Sequence, residues 1–310
     1  MLETTDLRKV FKSTVAVDEV NLYLNKGESV GLLGPNGAGK STTISMISSL
    51  SMPTSGDVKW NGESVVKNPN VIRNVLGVVP QEIAVYEELT ALENLKFFGK
   101  IYGLKGETLD QKVEDALKIV GLEEKQKELV KNYSGGMKRR INIAVALLHE
   151  PEIIIMDEPT VGIDPQSRNY ILEMVRQLNE EKGMTVLYTS HYMEEVERLC
   201  DRIYIMDHGK VIATGTQEEL TSILSSEESI LIELDRPYPN LVKALSGLEE
   251  VLQVVEHDKG IKLIVTKGSR LLGKVFQIAE QEDAQIAGIN VQVPTLEDVF
   301  LHLTGRKLRD

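Results

Sequence analysis

Short apolar runs alternate with amphipathic helical stretches through the middle of this chain. The segments 29–33, 152–157 and 185–189 are rich in apolar residues and too short for helices, so we interpret them as buried strands. Between the last two segments, apolar residues recur at helical spacing, at Ile171, Met174, Val175 and Leu178. Buried strands that alternate with helices predict a mostly parallel sheet in an α/β domain.

Two other patterns flank these strands. Apolar alternation over residues 2–24 predicts short antiparallel strands ahead of the first buried strand. Capping-box sequences at Thr90 and Thr108 each predict the start of a helix. We therefore expect a helical insert at about residues 82–150, placed between the two halves of the parallel sheet.

The tail of the chain has its own pattern, which differs from that of the larger part. Its predicted elements are strand 230–234, helix 240–246, strands 251–256 and 261–266, helix 271–281 and strand 287–293. This β-α-β-β-α-β order predicts a small ferredoxin-like α+β domain, followed by a helix that starts at Thr295. With residues 225–228 as the linker, the expected domains are 1–222 and 228–310.

Composition narrows the function classes. The chain has 310 residues and a formal net charge of −12, which disfavours binding to a phosphate backbone and hence to nucleic acid. The single cysteine, Cys200, excludes an internal disulfide; we expect a buried structural thiol rather than a nucleophile. We expect no secretory leader and no membrane span, so any membrane function would depend on a partner.

A glycine-rich loop follows the first buried strand. The segment Gly34–Ser41 fits the pattern G-x-x-x-x-G-K-S/T and leads into a helical stretch. In such a loop backbone N–H groups converge on a polyphosphate, Lys40 reaches its β/γ oxygens and Ser41 offers a hydroxyl to Mg²⁺. The alternative is a chance glycine turn, and the flanking strand and helix favour the nucleotide loop.

Two carboxylates follow the second buried strand. Asp157 and Glu158 come directly after four apolar residues, at the end of a strand where α/β sheets bind ligands. Asp157 would hold Mg²⁺ directly or through water, and Glu158 would polarise the water that attacks the γ-phosphate. The alternative is a strand that ends in solvated acids. The position of the pair downstream of the phosphate loop favours the metal and the base.

A second candidate anion site lies in the predicted helical insert. Ser134, Gly135 and Gly136 stand at a helix start and offer a hydroxyl, unencumbered N–H groups and the helix dipole. Three cations follow at residues 138–140, and they oppose that dipole unless they face phosphate or acidic neighbours. An ordinary helix cap is the default alternative. Because one ATP has no obvious use for two cradles from one chain, we expect a partner subunit.

In this order the three motifs resemble the ATP-binding subunit of ABC transporters, over about residues 2–220. Gly34–Ser41 is similar to the Walker A loop, 153–158 to the Walker B strand and 134–136 to the signature motif. The resemblance implies a P-loop NTPase with a RecA-like core, an antiparallel β-subdomain and a helical subdomain. One departure is Met137, which stands where the family usually has Gln.

Four further residues take their roles from this resemblance. Gln81 would touch Mg²⁺ and sense the nucleotide, Asp164 belongs to the D-loop-like segment 161–164, His191 is similar to the switch histidine, and Phe11 stands where an aromatic stacks on adenine. The complete set of expected nucleotide contacts is Phe11, Asn36, Gly37, Ala38, Gly39, Lys40, Ser41, Thr42, Ser134, Gly135, Gly136 and Asp164.

Each of these four residues has a simpler interpretation. Gln81 would be an ordinary polar loop residue and His191 a structural histidine. Phe11 would fill the β-subdomain, and Asp164 would cap a helix that has Pro165 in its first turn. The joint order and spacing of the motifs favour the nucleotide site.

The resemblance also implies a mechanism and partners. Two copies of the chain, or the chain and a second cassette, would close head-to-tail over ATP and Mg²⁺. Lys40, Gln81, Glu158 and His191 would be catalytic, and Ser41, Gln81 and Asp157 would hold the metal. The dimer would power a separate integral membrane permease from the cytoplasmic face of the cell membrane.

The expected transporter is an exporter. Residues 90–104 and the closing Pro294–Phe300 are similar to bacterial drug, antibiotic and sodium exporters of the daunorubicin-resistance type. Drugs, antibiotics, ions and lipids all stay open as substrates, and the tail domain is expected to stabilise or regulate the dimer. The competing class is a soluble ABC ATPase that acts on ribosomes or nucleic acid. A P-loop kinase or GTPase would leave Ser134–Gly136 and His191 without a purpose.

Overall fold

A computed structural model of the chain describes residues 1–224, 227–257, 260–269, 271–292 and 294–305. These residues form two compact units, one of Met1–Thr216 and a smaller one that begins at Gln217. Within the described ranges, no helix combines the length and the apolar character needed to cross a bilayer.

The larger unit contains eleven strands and seven α-helices. The strands are β1 (Leu2–Phe11), β2 (Thr14–Val20), β3 (Tyr23–Leu24), β4 (Ser29–Leu33), β5 (Ser55–Trp60), β6 (Glu63–Ser64), β7 (Leu76–Val79), β8 (Ile153–Asp157), β9 (Thr185–Ser190), β10 (Arg202–Asp207) and β11 (Lys210–Gly215). The helices are α1 (Lys40–Ile47), α2 (Asn70–Arg73), α3 (Ala91–Ile101), α4 (Gly106–Ile119), α5 (Gly135–Leu147), α6 (Pro165–Lys182) and α7 (Met193–Leu199).

A six-stranded sheet in the order β11-β10-β4-β9-β8-β7 forms the centre of this unit. Its strands are parallel except for the β10–β11 pair, as the alternation of strands and helices predicts. Every residue of β4, β8 and β9 is buried, as is typical of parallel strands that are covered on both faces. The carboxyl ends of these three strands meet at one edge, where Asp157 pairs with Thr189 and Leu33 with Ser190.

The predicted strands of residues 2–24 belong to a second, antiparallel sheet. Its order is β2-β1-β5-β6, with β3 also paired to β1. The partner strand β5 pairs with β1 in a register that places Leu2 opposite Trp60. The sequence did not indicate β5 and β6, because this pairing joins segments that lie on either side of the glycine-rich loop and α1.

The helical insert contains α3, α4 and α5. The capping box at Thr90 is confirmed, since the Thr90 hydroxyl accepts from the Glu93 N–H and the Glu93 carboxylate accepts from the Thr90 N–H. The predicted start of the next helix at Thr108 is wrong, because α4 begins at Gly106. Gly106 has a φ of 56°, which costs glycine little, so the chain turns into the helix two residues early.

The smaller unit contains α8 (Gln217–Ser222), β12 (Glu227–Leu234), α9 (Pro239–Ser246), β13 (Val251–His257), β14 (Gly260–Thr266), α10 (Leu272–Gln281), β15 (Ile286–Gln292) and α11 (Leu296–Thr304). From β12 to β15 the elements follow the predicted β-α-β-β-α-β order. The strands form an antiparallel sheet in the order β13-β14-β12-β15. Ile261, Leu263 and Val265 alternate on β14 and lie in its core.

The limits of two predicted segments differ from the structure. Residues 225 and 226 of the predicted linker lie outside the described residues, and the remainder of the linker prediction is wrong because β12 begins at Glu227. Main-chain pairing of Glu227 with Thr266 and of Glu228 with Val265 extends this strand despite its acidic sequence. Residue 293, the predicted end of the last strand, also lies outside the described residues.

The closing helix α11 begins at the predicted Thr295. Asp298, fully buried, accepts hydrogen bonds from the N–H and the hydroxyl of Thr295 at 2.7 and 2.8 Å. Its carboxylate also lies 2.7 Å from Nζ of Lys262 in β14. A single buried carboxylate therefore caps α11 and pairs the helix with the sheet of the smaller unit.

Candidate functional site

The glycine-rich loop Gly34–Ser41 joins β4 to α1, with Gly39 at the helix start in a left-handed conformation of φ 104°. A Cβ atom at Gly39 would lie 2.6 Å from the carbonyl oxygen of Ala16, so this position requires glycine. The side chain of Lys40 is buried and donates to the carbonyls of Gly34 at 2.7 Å and Pro35 at 3.2 Å. The ammonium therefore lies inside the curve of the loop.

Lys40, Glu158 and His191 come together at the carboxyl edge of the sheet. Oε1 of Glu158 lies 3.2 Å from Nζ of Lys40, and Oε2 lies 3.2 Å from Nδ1 of His191. Glu158 is buried and has a φ of 47°, a strained backbone conformation for a residue with a side chain. Residues predicted from three separate motifs are thus joined through one carboxylate.

Asp157 is oriented by Thr189, a residue whose role the sequence did not reveal. The Thr189 hydroxyl donates to Oδ1 of Asp157 at 2.8 Å and accepts from the Glu158 N–H at 2.9 Å. Both contacts follow from the parallel register, in which Asp157 and Thr189 are neighbours on adjacent strands. The signal that could have found Thr189 is its position at the carboxyl end of the next predicted strand.

A cavity of about 420 Å³ opens beside the glycine-rich loop. Besides Ala16, all of its lining residues were predicted from the sequence, and they are Phe11, Asn36, Gly37, Ala38, Gly39, Lys40, Ser41, Thr42, Gln81 and Glu158. Within the larger unit, the residues Ser134, Gly135, Gly136 and Asp164 do not line this cavity. The structure therefore brings together the expected contacts from Phe11 and the glycine-rich loop, and leaves the signature residues and Asp164 outside the cavity.

Phe11 and Gln81 lie at the rim of this cavity. Phe11 is 51% exposed at the end of β1, with Nζ of Lys9 5.1 Å from the centre of its ring. It therefore does not fill the core of the β-subdomain, which was the simpler interpretation. Gln81 is exposed in the segment after β7.

Ser134 and Asp164 each cap a helix, as the simpler interpretations predicted. The Ser134 hydroxyl accepts from the N–H of Met137 at 3.2 Å at the start of α5. Asp164 accepts from the N–H of Ser167 at 2.9 Å at the start of α6, and this hydrogen bond lowers the pKa of the carboxyl. Capping uses acceptor positions, so the Ser134 hydroxyl retains its proton as a donor.

Gly136 has a packing role that the sequence did not indicate. A Cβ atom at Gly136 would lie 2.1 Å from Oγ and 2.4 Å from Cβ of Ser167. A Cβ atom at Gly135 would meet no clash, since its nearest neighbour would be Ile163 Cγ2 at the ordinary contact distance of 3.9 Å. Gly136 therefore allows the start of α5 to approach the start of α6.

The three cations at the start of α5 have partners within the chain. Lys138 lies 2.7 Å from Glu87, which is the acidic neighbour that the sequence allowed for. Arg139 donates to the carbonyls of Pro80 and Gln81, and Arg140 to those of Val120 and Gly121. These contacts explain how a basic first turn is tolerated against the helix dipole.

A buried carboxylate behind the site was also missed. Glu195 in α7 accepts hydrogen bonds from Thr160, Tyr188 and Ser190 at 2.7–2.9 Å, and Nε of Arg168 lies 3.3 Å from it. Burial, with the negative charge of Glu195 beside it, raises the pKa of Tyr188 far above its ordinary value. Glu195 thus ties the residues that follow β8 to those that precede His191.

Cys200 has the character of a structural thiol. Its sulfur accepts a hydrogen bond from the Ser29 hydroxyl at 3.8 Å. The residue as a whole keeps some solvent exposure, but burial of the sulfur raises its pKa to about 12. The thiol is therefore neutral and unreactive at ordinary pH.

The site can now be compared with known proteins. The sequence profile described as ABC transporter matches residues 17–161. The linearmycin resistance ATP-binding protein LnrL of Bacillus subtilis (strain 168) is 47% identical over 312 residues, which cover 100% of both chains. This chain belongs to the ABC transporter family, as an ATP-binding subunit.

Other relatives agree with this assignment. The daunorubicin/doxorubicin resistance ATP-binding protein DrrA of Streptomyces peucetius is 42% identical, over 100% of this chain and 94% of its own length. A dimeric ATP-binding cassette solved in a post-hydrolysis state with ADP and Pi has a TM-score of 0.64 and 30% identity, over 70% of this chain and 98% of that one. The predicted P-loop NTPase cassette and the prediction of a transporter ATPase over a ribosomal one are confirmed. The family hydrolyses ATP to power transport.

Proposed function

We propose that this ABC cassette hydrolyses ATP in the cavity beside Gly34–Ser41, with Glu158 as the general base and Lys40 and His191 on the γ-phosphate. The observation that carries the proposal is the chain of contacts Lys40–Glu158–His191 at the edge of this cavity. Lys40 would exchange the carbonyls of Gly34 and Pro35 for phosphate oxygens, which are stronger acceptors. The carboxylate of Glu158, relieved of Lys40, would then accept a proton from the attacking water.

The same cavity offers a magnesium site. Ser41 and Gln81 line the cavity, and Asp157 lies behind it, directly before the lining residue Glu158. The Ser41 hydroxyl, the Gln81 amide and the Asp157 carboxylate would supply oxygen atoms, the donors that Mg²⁺ prefers when it also binds phosphates. Thr189 holds the carboxylate of Asp157 in one orientation. When bound, Mg²⁺ would supply neutralising charge to the β- and γ-phosphates.

We propose that the signature residues complete the site of a second copy of the chain. Ser134, Gly135 and the start of α5 form a capped, exposed helix N-terminus, which is suited to an anion. They do not line the chain's own cavity, so their phosphate would belong to a partner in a head-to-tail dimer. The dimeric state of a solved relative supports this arrangement.

We further propose a membrane permease as a partner. The rings of Tyr86, Phe97 and Phe98 cluster with centroid separations of 5.2–6.1 Å, and Tyr86 and Phe97 are exposed. An exposed aromatic cluster is typical of a protein interface. This cluster lies on the helical insert, close in sequence to Gln81. The permease would bind the chain at this cluster, on the cytoplasmic face of the cell membrane.

The relatives named for resistance to linearmycin and to daunorubicin or doxorubicin favour export of an antibiotic or drug, with ions and lipids as alternatives. A sensitive bacterium that expresses the chain with its permease should tolerate a higher drug concentration. The same strain with Glu158→Gln should not. Equal sensitivity of the two strains to every drug tested would contradict drug export.

We propose that residues 228–310 form a ferredoxin-like accessory domain that stabilises or regulates the dimer. Leu252 and Phe276 are each 54% exposed in this region, which leaves apolar surface for a partner. Deletion of residues 228–310 should weaken ATP-dependent dimerisation in analytical ultracentrifugation. Unchanged dimerisation and an unchanged ATPase rate would contradict this role.

The central test is the variant Glu158→Gln. It should bind ATP and form an ATP-stabilised dimer, while its hydrolysis rate falls about 100-fold or more because an amide accepts no proton from water. Glu152→Gln is the matched control, since Glu152 lies just before the other end of β8 and should tolerate the change. A Glu158→Gln protein that hydrolyses ATP like its parent would overturn the assignment of the base.

A further inference from the structure

A side chain of helix α5 hydrogen-bonds to the backbone of the segment that carries Gln81. The guanidinium of Arg139 donates to the carbonyl of Pro80 at 2.7 Å and to the carbonyl of Gln81 at 2.6 Å. Both bonds end on main-chain atoms, so they fix the base of the Gln81 side chain and leave its amide exposed.

Asn142, three residues further along the helix, holds the next part of the same segment. Its Oδ1 accepts from the N–H of Ala84 at 3.2 Å, and its Nδ2 donates to the carbonyl of Glu82 at 3.5 Å. Residues three apart lie on one face of a helix, so Arg139 and Asn142 act side by side. We call these two side chains the loop clamp.

The loop clamp is buried. Arg139 is 4% exposed and Asn142 is 3% exposed. Arg139 bonds neutral carbonyls here, and burial lowers its pKa. A buried cation held by carbonyl groups is costly to move, because its desolvation is balanced only while those bonds persist. The segment 80–84 and the start of α5 should therefore move as one body.

We propose that Arg139 and Asn142 are positioning residues that couple the two nucleotide sites of the dimer. This inference rests on the proposed head-to-tail dimer. In that dimer Ser134 and Gly135 contact the partner's nucleotide, while Gln81 reaches the chain's own nucleotide. Because the loop clamp joins the two, engagement of the signature residues at one site sets the position of Gln81 at the other. The nucleotide sites consequently report on each other through a rigid link inside each chain.

The test compares the ATP dependence of hydrolysis in the full chain and its variants. Arg139→Lys keeps the charge but loses the forked geometry that reaches two carbonyls at once. Asn142→Ala removes the other half of the clamp. For both variants we expect the Hill coefficient for ATP to fall from above 1 to about 1. The factor by which ATP at one site raises the affinity of the other site should fall about fivefold or more. Binding of ATP to Glu158→Gln forms of the same variants, kept monomeric by dilution, should keep the affinity of the parent.

Arg140→Lys is the matched control. Arg140 is the next residue of α5 and also donates to two carbonyls, but these belong to Val120 and Gly121, outside the Gln81 segment. Its variant should lose a similar amount of thermal stability to Arg139→Lys and keep the Hill coefficient of the parent. If Arg139→Lys does not fold, Asn142→Ala carries the same comparison.

Three results decide the outcome. A lower Hill coefficient in the clamp variants alone supports the coupling. A Hill coefficient of about 1 in the parent, or an unchanged one in the clamp variants, would overturn the coupling and leave the ATPase proposal intact. A parent that neither binds nor hydrolyses ATP would overturn the proposed function, and this inference with it.

Discussion

The hydroxyl of Thr189 donates a hydrogen bond to the carboxylate of Asp157 at 2.8 Å across two parallel strands. The same oxygen accepts from the main-chain N–H of Glu158 at 2.9 Å. One fully buried side chain thus fixes the orientation of the proposed metal ligand and the backbone of the proposed base. The Thr189 hydroxyl acts as donor and acceptor at once, and in a space of this size only a hydroxyl can do both.

Replacing Thr189 with Val should therefore impair catalysis more than folding. The Val variant keeps the shape but leaves the Glu158 N–H unpaired and Asp157 unsupported, so we expect the ATPase rate to fall about 10- to 100-fold. Thr189→Ser retains the hydroxyl and should stay close to the parent. Equal rates for the Val and Ser variants would show that the two hydrogen bonds are dispensable.

Gly136 and Gly135 should differ in their tolerance of a methyl group. Gly136→Ala forces a Cβ atom onto Ser167 and should destabilise the protein by about 1–3 kcal/mol in thermal unfolding. Gly135→Ala places a Cβ atom 3.9 Å from Ile163 Cγ2, an ordinary van der Waals contact, and should change stability by less than about 0.5 kcal/mol. Ser167→Gly, added to Gly136→Ala, should restore stability. If stability is not restored, the clash with Ser167 is not the cause of the loss.

Asp298 should be a main determinant of the stability of the smaller unit. Asp298→Asn retains acceptor atoms for Thr295 but leaves Lys262 as an uncompensated, nearly buried charge. We expect a loss of about 3 kcal/mol, measured by denaturant or thermal unfolding. The control is Glu297→Gln at the adjacent exposed position, which should cost less than about 0.5 kcal/mol. Similar losses in the two variants would contradict a specific role for the ion pair.

The thiol of Cys200 should resist alkylation in the folded protein. With a pKa of about 12, only about one thiol in 10,000 is ionised at about pH 8, against a much larger share of a free cysteine. Iodoacetamide labelling, followed by mass spectrometry, should stay low and rise only as the pH approaches the raised pKa. Unfolding in denaturant should make labelling fast at constant pH. Rapid labelling of the native chain at neutral pH would contradict the burial of this sulfur.

The sequence indicated those parts of the fold and site that depend on local patterns. Strand β8 followed by Asp157 and Glu158, and the glycine-rich loop before α1, each have a short signature with a direct physical cause. The helix caps at Ser134 and Asp164 were visible for the same reason. The convergence of Lys40, Glu158 and His191 could be expected because parallel strands end at one edge of their sheet.

Features made by long-range contacts could not be found in this way. Strand β5 pairs with β1 across about fifty residues, and Arg139 holds carbonyls that any sequence would provide. The position of Thr189 at the end of a strand was visible, but its hydrogen bond to Asp157 depends on the pairing of two strands. Glu195 carries no distinguishing neighbours, since ordinary helices contain the same residue types. The packing of Gly136 against Ser167 depends on the approach of two helices, which the sequence of neither helix reveals.

The cap that Ser134 supplies to its own helix bears on how quickly the proposed dimer of two cassettes would assemble. Because its hydroxyl oxygen already accepts from Met137 within one chain, the helix start is in order before any partner arrives. Association would then lose no conformational entropy in ordering that surface. A larger part of the favourable interaction energy would therefore appear as binding affinity. Diffusion would then limit the rate at which the proposed dimer closes, and the lifetime of the bound phosphate would limit the rate at which it opens. Neither rate would wait for a loop to fold.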